Sequence, residues 1–376
     1  NWVCLGTVTR MTSNKGMRKA IVAVVGSVAL AIAGTMTAGA WTSSAPSGID
    51  IAAHQHPGGA LINWSDVKTD GQSFAFVKAS EGSDWTNSYF VADANAASAA
   101  GLKVGAYHYA RPASSASAQA AHFAAQLALV PGQTLPPVLD IEVDEGLSPV
   151  QLANWIRQFT TELRALTGRT PMIYTYKYFW MGQMGNTKEF SDMPLWLAAY
   201  QDKAPEPVGG WDKISFWQRS GSGRVNGITG PVDMNLFNGS EGQLESFSNG
   251  NYLDIGGILE GLVLGDDAPD LSSNSGPLIG AILALAAGII ATPQLVDAAE
   301  QAGLGGNAAG VFTDFVKQLT QNGTLPIDDL VEMATGDFTV GDLAILLDNA
   351  GHIATKNGVN PDQVEQAQEA VNQLAQ

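Results

Sequence analysis

The densest concentration of reactive groups in the chain is Pro136-Pro137-Val138-Leu139-Asp140-Ile141-Glu142, an apolar run that emerges into two acids. In an extended strand, residues two apart point to the same side, so this spacing brings two carboxylates together. Two carboxylates held close resist ionising at the same time, and one pKa is driven upward. A protonated Glu beside an ionised Asp is the pairing of acid and anion that glycosidic bond cleavage requires. Asp144 and Glu145 continue the acidic run. Taken alone, then, D-x-E describes a solvated strand end equally well.

Two other strand ends change that balance. Gly48-Ile49-Asp50 ends the first β-rich run in an Asp, and Pro231-Val232-Asp233-Met234-Asn235 carries another in the last. First and last strands become neighbours when a sheet closes into a barrel. Asp50, Asp140, Glu142 and Asp233 would then ring one pocket. Such a ring costs stability, which makes function its easier explanation. Aromatic residues fall at the same ends, and Tyr107, Tyr174 and Trp196 are the expected pocket lining, joined by Tyr200 and Gln218. Aromatic faces beside polar groups suit sugar rings, although half of these side chains equally fit a barrel core. Lys78 and Glu81 pair either at the pocket mouth or simply as a strand-end ion pair. His54 and His56 lack a third ligand and precede a Pro-Gly-Gly turn, so no metal site is expected. Ser80 has no nucleophile-elbow context, and no glycine-rich phosphate loop is present, so no cofactor is expected.

The elements that must position these residues alternate. Strands are expected at 48–52, 74–79, 103–109, 137–142 and 172–176, with helices near 62–70, 86–100, 114–130 and 148–167 between them. Ser148-Pro149 reads as an N-cap with proline in the first turn, and Gly168 as the stop. Three more strands, 195–200, 214–218 and 231–236, follow with little helix between them. Eight strands with this alternation predict an α/β fold, an irregular TIM-like (β/α)5(β)3 barrel over about 48–245.

Beyond Gly250 the chain changes character. Residues 250–376 hold 17 Asp and Glu against 2 Lys, so nearly all of the net charge of -17 lies there, and all nine Trp precede residue 218. The spacing predicts a linker at 246–276 and a small all-α acidic domain at 277–376. Its helices are expected at 278–291, 293–302, 307–321, 326–334, 340–350 and 360–375. The apolar run Leu278–Ala291 is too short to span a bilayer. The charge disfavours nucleic acid as a partner. Few aromatic residues are there to stack on sugars, which argues against direct wall binding; an acidic helical unit suits binding of a protein partner or cations, regulation of access to the barrel, or solubility.

At the other end, Met17-Arg18-Lys19 opens an apolar stretch that closes on Ala38-Gly39-Ala40. This pattern predicts a secretory signal peptide within an N-terminal extension at 1–40, then a Ser/Pro linker at 41–47. Export to the cell wall follows, with no stable membrane insertion after cleavage. Cys4 is the sole cysteine, and it would be lost with that segment.

Eight ordered motifs share one further property. GID at 48–50, FAFVKASEG at 74–82, GLKVGAYHYARP at 101–112, LDIE at 139–142, PMIYT at 171–175, LWLAAY at 195–200, FWQ at 216–218 and VDMNLF at 232–237 resemble the family 25 glycoside hydrolases, the muramidase-type bacterial lysozymes. The resemblance covers residues 47–240. It implies a barrel of five β/α units followed by three strands. It also implies hydrolysis of the β-1,4 bond between N-acetylmuramic acid and N-acetylglucosamine in the glycan strands of peptidoglycan. Glu142 would be the general acid and Asp140 would assist through the substrate's 2-acetamido group, with Asp50 and Asp233 shaping the pocket. A hydrolase of another N-acetylhexosamine polymer, or an inactive wall-binding barrel, would share the architecture.

Overall fold

A computed structural model describes residues 45–264, 271–304 and 307–356, all within one packed unit. The expected signal peptide and the helix at 360–375 lie outside the described residues. Nine strands form one sheet: β1 (Ser47–Ile51), β2 (Gln72–Glu81), β3 (Trp85–Thr86), β4 (Lys103–Tyr109), β5 (Val138–Asp140), β6 (Met172–Tyr176), β7 (Leu195–Ala198), β8 (Phe216–Gly223) and β9 (Val232–Phe237). Strands β1, β2, β4, β5, β6, β7 and β8 run parallel in that spatial order. Strand β9 pairs antiparallel with both β8 and β1 and closes the barrel. The short β3 is a hairpin appended to β2.

Parallel strands buried on both faces read as unbroken apolar runs, as Phe74–Val77 does. Three rings fill the interior: Phe216 meets Phe74 at 5.0 Å and Phe76 at 5.2 Å. Glycine makes the room for them. A Cβ at Gly48 would stand 2.3 Å from the Phe74 ring, and one at Gly105 2.3 Å from the Phe76 ring.

Helices α1 (Trp64–Thr69), α2 (Phe90–Ala99), α3 (Ala116–Leu127) and α4 (Pro149–Thr167) cover the first half of the barrel. Helix α4 starts as its sequence predicts. Ser148 and Gln151 form a capping box, with the Ser148 N–H donating to Gln151 Oε1 at 2.9 Å, and Gly168 ends the helix at φ 69°. Between β6 and β7 only a five-residue helical turn, Phe179–Gln183, replaces a full helix.

After α5 (Glu241–Ser248), the chain returns to the barrel through a bridge between Lys203 and Val263. Helices α6 (Gly276–Ala286), α7 (Thr292–Gln301), α8 (Asn307–Asn322), α9 (Ile327–Ala334) and α10 (Val340–Lys356) follow. They pack on the barrel itself: Tyr178 Oη donates to Asp329 at 3.0 Å, Lys177 Nζ to the Asp337 carbonyl at 2.9 Å, and Tyr178 meets Phe338 edge to face. Among the described residues no helix is long and apolar enough to cross a membrane.

Candidate active site

The C-terminal ends of the parallel strands open into a cavity of about 130 Å³, on the face where barrels of this kind place their chemistry. Asp50 arrives on β1 and Asp233 on β9, and the two are direct cross-strand partners. Asp140 ends β5, its carbonyl accepting the Ala110 N–H at 2.8 Å. The strand assignment stops there, two residues short of the expected 137–142. Extended pairing nevertheless continues for one more residue, through the Ile141 N–H to the Tyr174 carbonyl at 3.0 Å. Ile141 and Val143 are buried on either side of a half-buried Glu142. The alternation therefore survives past the strand end, and the Asp140 and Glu142 carboxyls meet.

The electrostatics follow from this crowding. Burial pushes Glu142 up to about 7, against hydrogen bonds from Asn349 and Asp140 that favour its charged form. Asp140 is raised well above the usual carboxylate range, first by burial and then by the Glu142 charge, with Lys78 opposing. Burial and Asp50 raise Asp233, and burial raises Asp50 against donors from Asn235 and Gln218. At neutral pH a protonated acid therefore coexists with its neighbours in one cleft.

Polar side chains hold the ring in place. Asn235 Nδ2 donates to Asp50 Oδ2 at 2.7 Å, and Trp196 Nε1 donates to Asn235 Oδ1 at 2.8 Å. Gln218 Nε2 reaches the same Asp50 oxygen at 3.1 Å, while its Oε1 accepts from Tyr174 Oη at 2.7 Å and Tyr200 Oη at 3.3 Å. Tyr107, Tyr174, Trp196, Tyr200, Gln218 and Lys78 all line the cavity together with the four acids. Trp196 does so as a floor, 1% exposed and stacked on Phe76 at 4.5 Å. Lys78 and Glu81 do pair, as an ion pair at the strand end, and Glu81 takes no place in the pocket lining. It is buried behind the wall, taking Lys78 Nζ at 2.9 Å and His352 Nε2 at 3.0 Å.

Two histidine arrangements that resemble catalytic ones are structural. Ser80 Oγ bonds His108 Nδ1 at 2.8 Å and His108 Nε2 bonds Gln119 at 3.0 Å, but Ser80, His108 and Gln119 are fully buried. Burial lowers His108 to about 3, so the ring stays neutral. His56 bonds Asp93 at 2.8 Å and the Ala60 carbonyl at 2.7 Å, whereas His54 stands exposed on the cavity rim.

Residues 49–228 match the glycosyl hydrolases family 25. Lysozyme M1 of Streptomyces globisporus is 40% identical over 223 residues, which are 57% of this chain and 74% of that one. The chain belongs to glycosyl hydrolases family 25. It is accordingly a glycoside hydrolase, as the crowded carboxyls already indicated. The N,O-diacetylmuramidase of Arthroderma benhamiae is 34% identical over 54% of this chain and 86% of its own. Among solved structures, the bacterial lysozyme of Streptomyces coelicolor superposes with a TM-score of 0.50 at 38% identity, covering 54% of this chain and 97% of its own. The family 25 match ends at residue 228, before β9, so closure of the barrel is what brings Asp233 and Asn235 to the site.

The Asp50–Asp233 pair makes a stability prediction. Acids with raised pKa values keep in the native state protons that the unfolded chain releases. Their favourable contribution is full below the unfolded value and is lost as pH rises through the native one. Asp233→Asn removes a group that the native state must keep protonated at pH 7 while the unfolded chain releases the proton, so it should raise Tm by about 2–4 °C at pH 7 and leave it unchanged at pH 3, where the acid is neutral in both states. Scanning calorimetry of parent and variant at the two pH values checks this. An unchanged Tm at pH 7 would show that the pair carries no strain.

Proposed function

We propose that this chain is a secreted lysozyme, an N-acetylmuramidase that cleaves the β-1,4 bond between N-acetylmuramic acid and N-acetylglucosamine in peptidoglycan. The observation that carries this is the meeting of Asp140 and Glu142 at the end of β5, inside a cleft walled by Asp50 and Asp233. Glu142, held protonated near neutrality, gives its proton to the leaving glycosidic oxygen. Asp140 faces the 2-acetamido group and steadies the positive charge that develops as the acetamido oxygen closes on the anomeric carbon, a departure from the two-carboxylate scheme. Asp50 is locked by Asn235 and Gln218 and fixes the shape of the acidic wall. The lysozyme and the muramidase named above support this substrate. The apolar stretch from Ala20 to Ala33 after Met17-Arg18-Lys19 supports export to the cell wall.

Mass spectrometry of digested peptidoglycan tests the bond assignment. Products should carry N-acetylmuramic acid at the new reducing end. Reducing-end N-acetylglucosamine would make the enzyme a glucosaminidase, and cleavage of chitin alone would move it to another acetamido-sugar polymer.

A further inference from the structure

Helix α10 lies across the mouth of the cleft. Ile345, Asp348, Asn349 and His352 from this helix line the same cavity as the four acids. Asn349 Nδ2 donates to Glu142 Oε2 at 3.0 Å, and its Oδ1 accepts from Tyr109 Oη at 3.3 Å. His352 adds its contact to Glu81 and packs its ring 4.9 Å from that of Tyr109. At the start of the helix, Gly341 sits so close to β7's end that an added Cβ would lie 2.4 Å from the Tyr200 carbonyl oxygen.

The helix also divides the cleft in two. A second cavity of about 140 Å³, bordered by Tyr176, Phe179, Gln183, Leu346, Asn349 and Ile353 among others, shares Glu142 and Asn349 with the first. Cleavage inside a polymer needs sugar on both sides of the general acid. Sites that bury a ligand of that size run to about 300–1,000 Å³, and each chamber is smaller than this. Asn349 stands on the carboxyl where the two would join. Asp348 also brings a further acid towards Glu142 and Asp233.

We propose that α10 is a lid whose docking on the barrel mouth holds the enzyme closed, and that a glycan strand enters only when α10 is displaced. This rests on the assignment of the cleft as the muramidase site. A protein whose competent state is only fractly populated binds its ligand more weakly by that fraction, so the lid acts on KM and leaves kcat nearly unchanged.

Gly341→Ala wedges the helix off the barrel without touching any acid. In the full chain it should lower KM at least threefold, at unchanged kcat, for a soluble tetrasaccharide of alternating N-acetylglucosamine and N-acetylmuramic acid. Hydrogen exchange should quicken in α10 and stay constant in the barrel strands. Should that variant fail to fold, Asn349→Ala removes both helix-to-barrel hydrogen bonds of that side chain without a wedge; because one of them holds Glu142, only the fall in KM and the faster exchange of α10 are read for it, and its kcat and pH limb are free to move. An unchanged or higher KM, with the parent active and α10 exchanging faster, overturns the lid and leaves the muramidase assignment standing. A variant with α10 undocked and no turnover at all, from a parent equally inert, overturns both.

Discussion

Glu142→Gln should reduce kcat on peptidoglycan fragments by about 10²- to 10⁴-fold, the range a positioned general acid contributes, while Tm holds. The amide is nearly the same shape and still accepts the Asn349 hydrogen bond, so packing at the half-buried site is kept. What it lacks is an ionisable proton for the leaving oxygen. The same group sets a pH limb. With its pKa raised to about 7, Glu142 stays protonated below that value. Parent kcat/KM should therefore fall about tenfold per pH unit above about pH 7. The variant's residual rate should show no limb there. Turbidity clearing of cell walls gives the rate, and pH profiles on a soluble fragment give the limb. A variant that keeps a tenth of the parental rate, or keeps the limb, removes Glu142 from the acid role.

Much of this arrangement is legible in the sequence, and for identifiable reasons. The barrel strands announce themselves as apolar runs ending in Asp or aromatic residues. The neighbourhood of Asp50 and Asp233 follows from closure alone, and their strands do pair at those two residues. The helix at 149–167 carries its own start and stop in Ser148, Pro149 and Gly168. Other features left weaker traces. Strand β3 has two residues, too few for any period to show. Helix α5 is short, although the Ser240 and Gln243 capping box was there to be read. Asn235 lay within a quoted motif, but its role depends on Asp50 and Trp196 from distant strands. Helix α10 was expected as a helix, yet its partner was not. Residues 341–347 are buried all the way round, which reflects insertion between the barrel and its neighbouring helices. Nothing in the linear pattern gives Asp348, Asn349 and His352 a partner. Only tertiary packing turns them towards Glu142.

Asp140→Asn should cost about 10²- to 10³-fold in kcat, the loss typical of removing one preorganised group aimed at charge that develops in the transition state. One oxygen of Asp140, Oδ1, is buried and accepts no hydrogen bond among the described residues. Buried acceptors are nearly always paired, and an unpaired one at a cleft calls for a donor from outside. The N–H of a substrate acetamido group is such a donor. Its acidity rises as its oxygen attacks the anomeric carbon, so an oxygen at 140 that can take up negative charge at that moment binds the transition state more strongly than the ground state. An amide at 140 keeps an acceptor but cannot give up a proton to carry negative charge as the transition state forms, so kcat falls with little change in KM. Burial already penalises ionisation of Asp140, hence the neutral Asn should leave Tm equal or higher, separating a catalytic loss from a folding one. Combining Asp140→Asn with Glu142→Gln should cost far less than the product of the two single effects, because groups acting in one step fail together. Strict multiplicativity, or a kcat within threefold of the parent for Asp140→Asn, would show that this carboxylate shapes the cleft without entering the reaction.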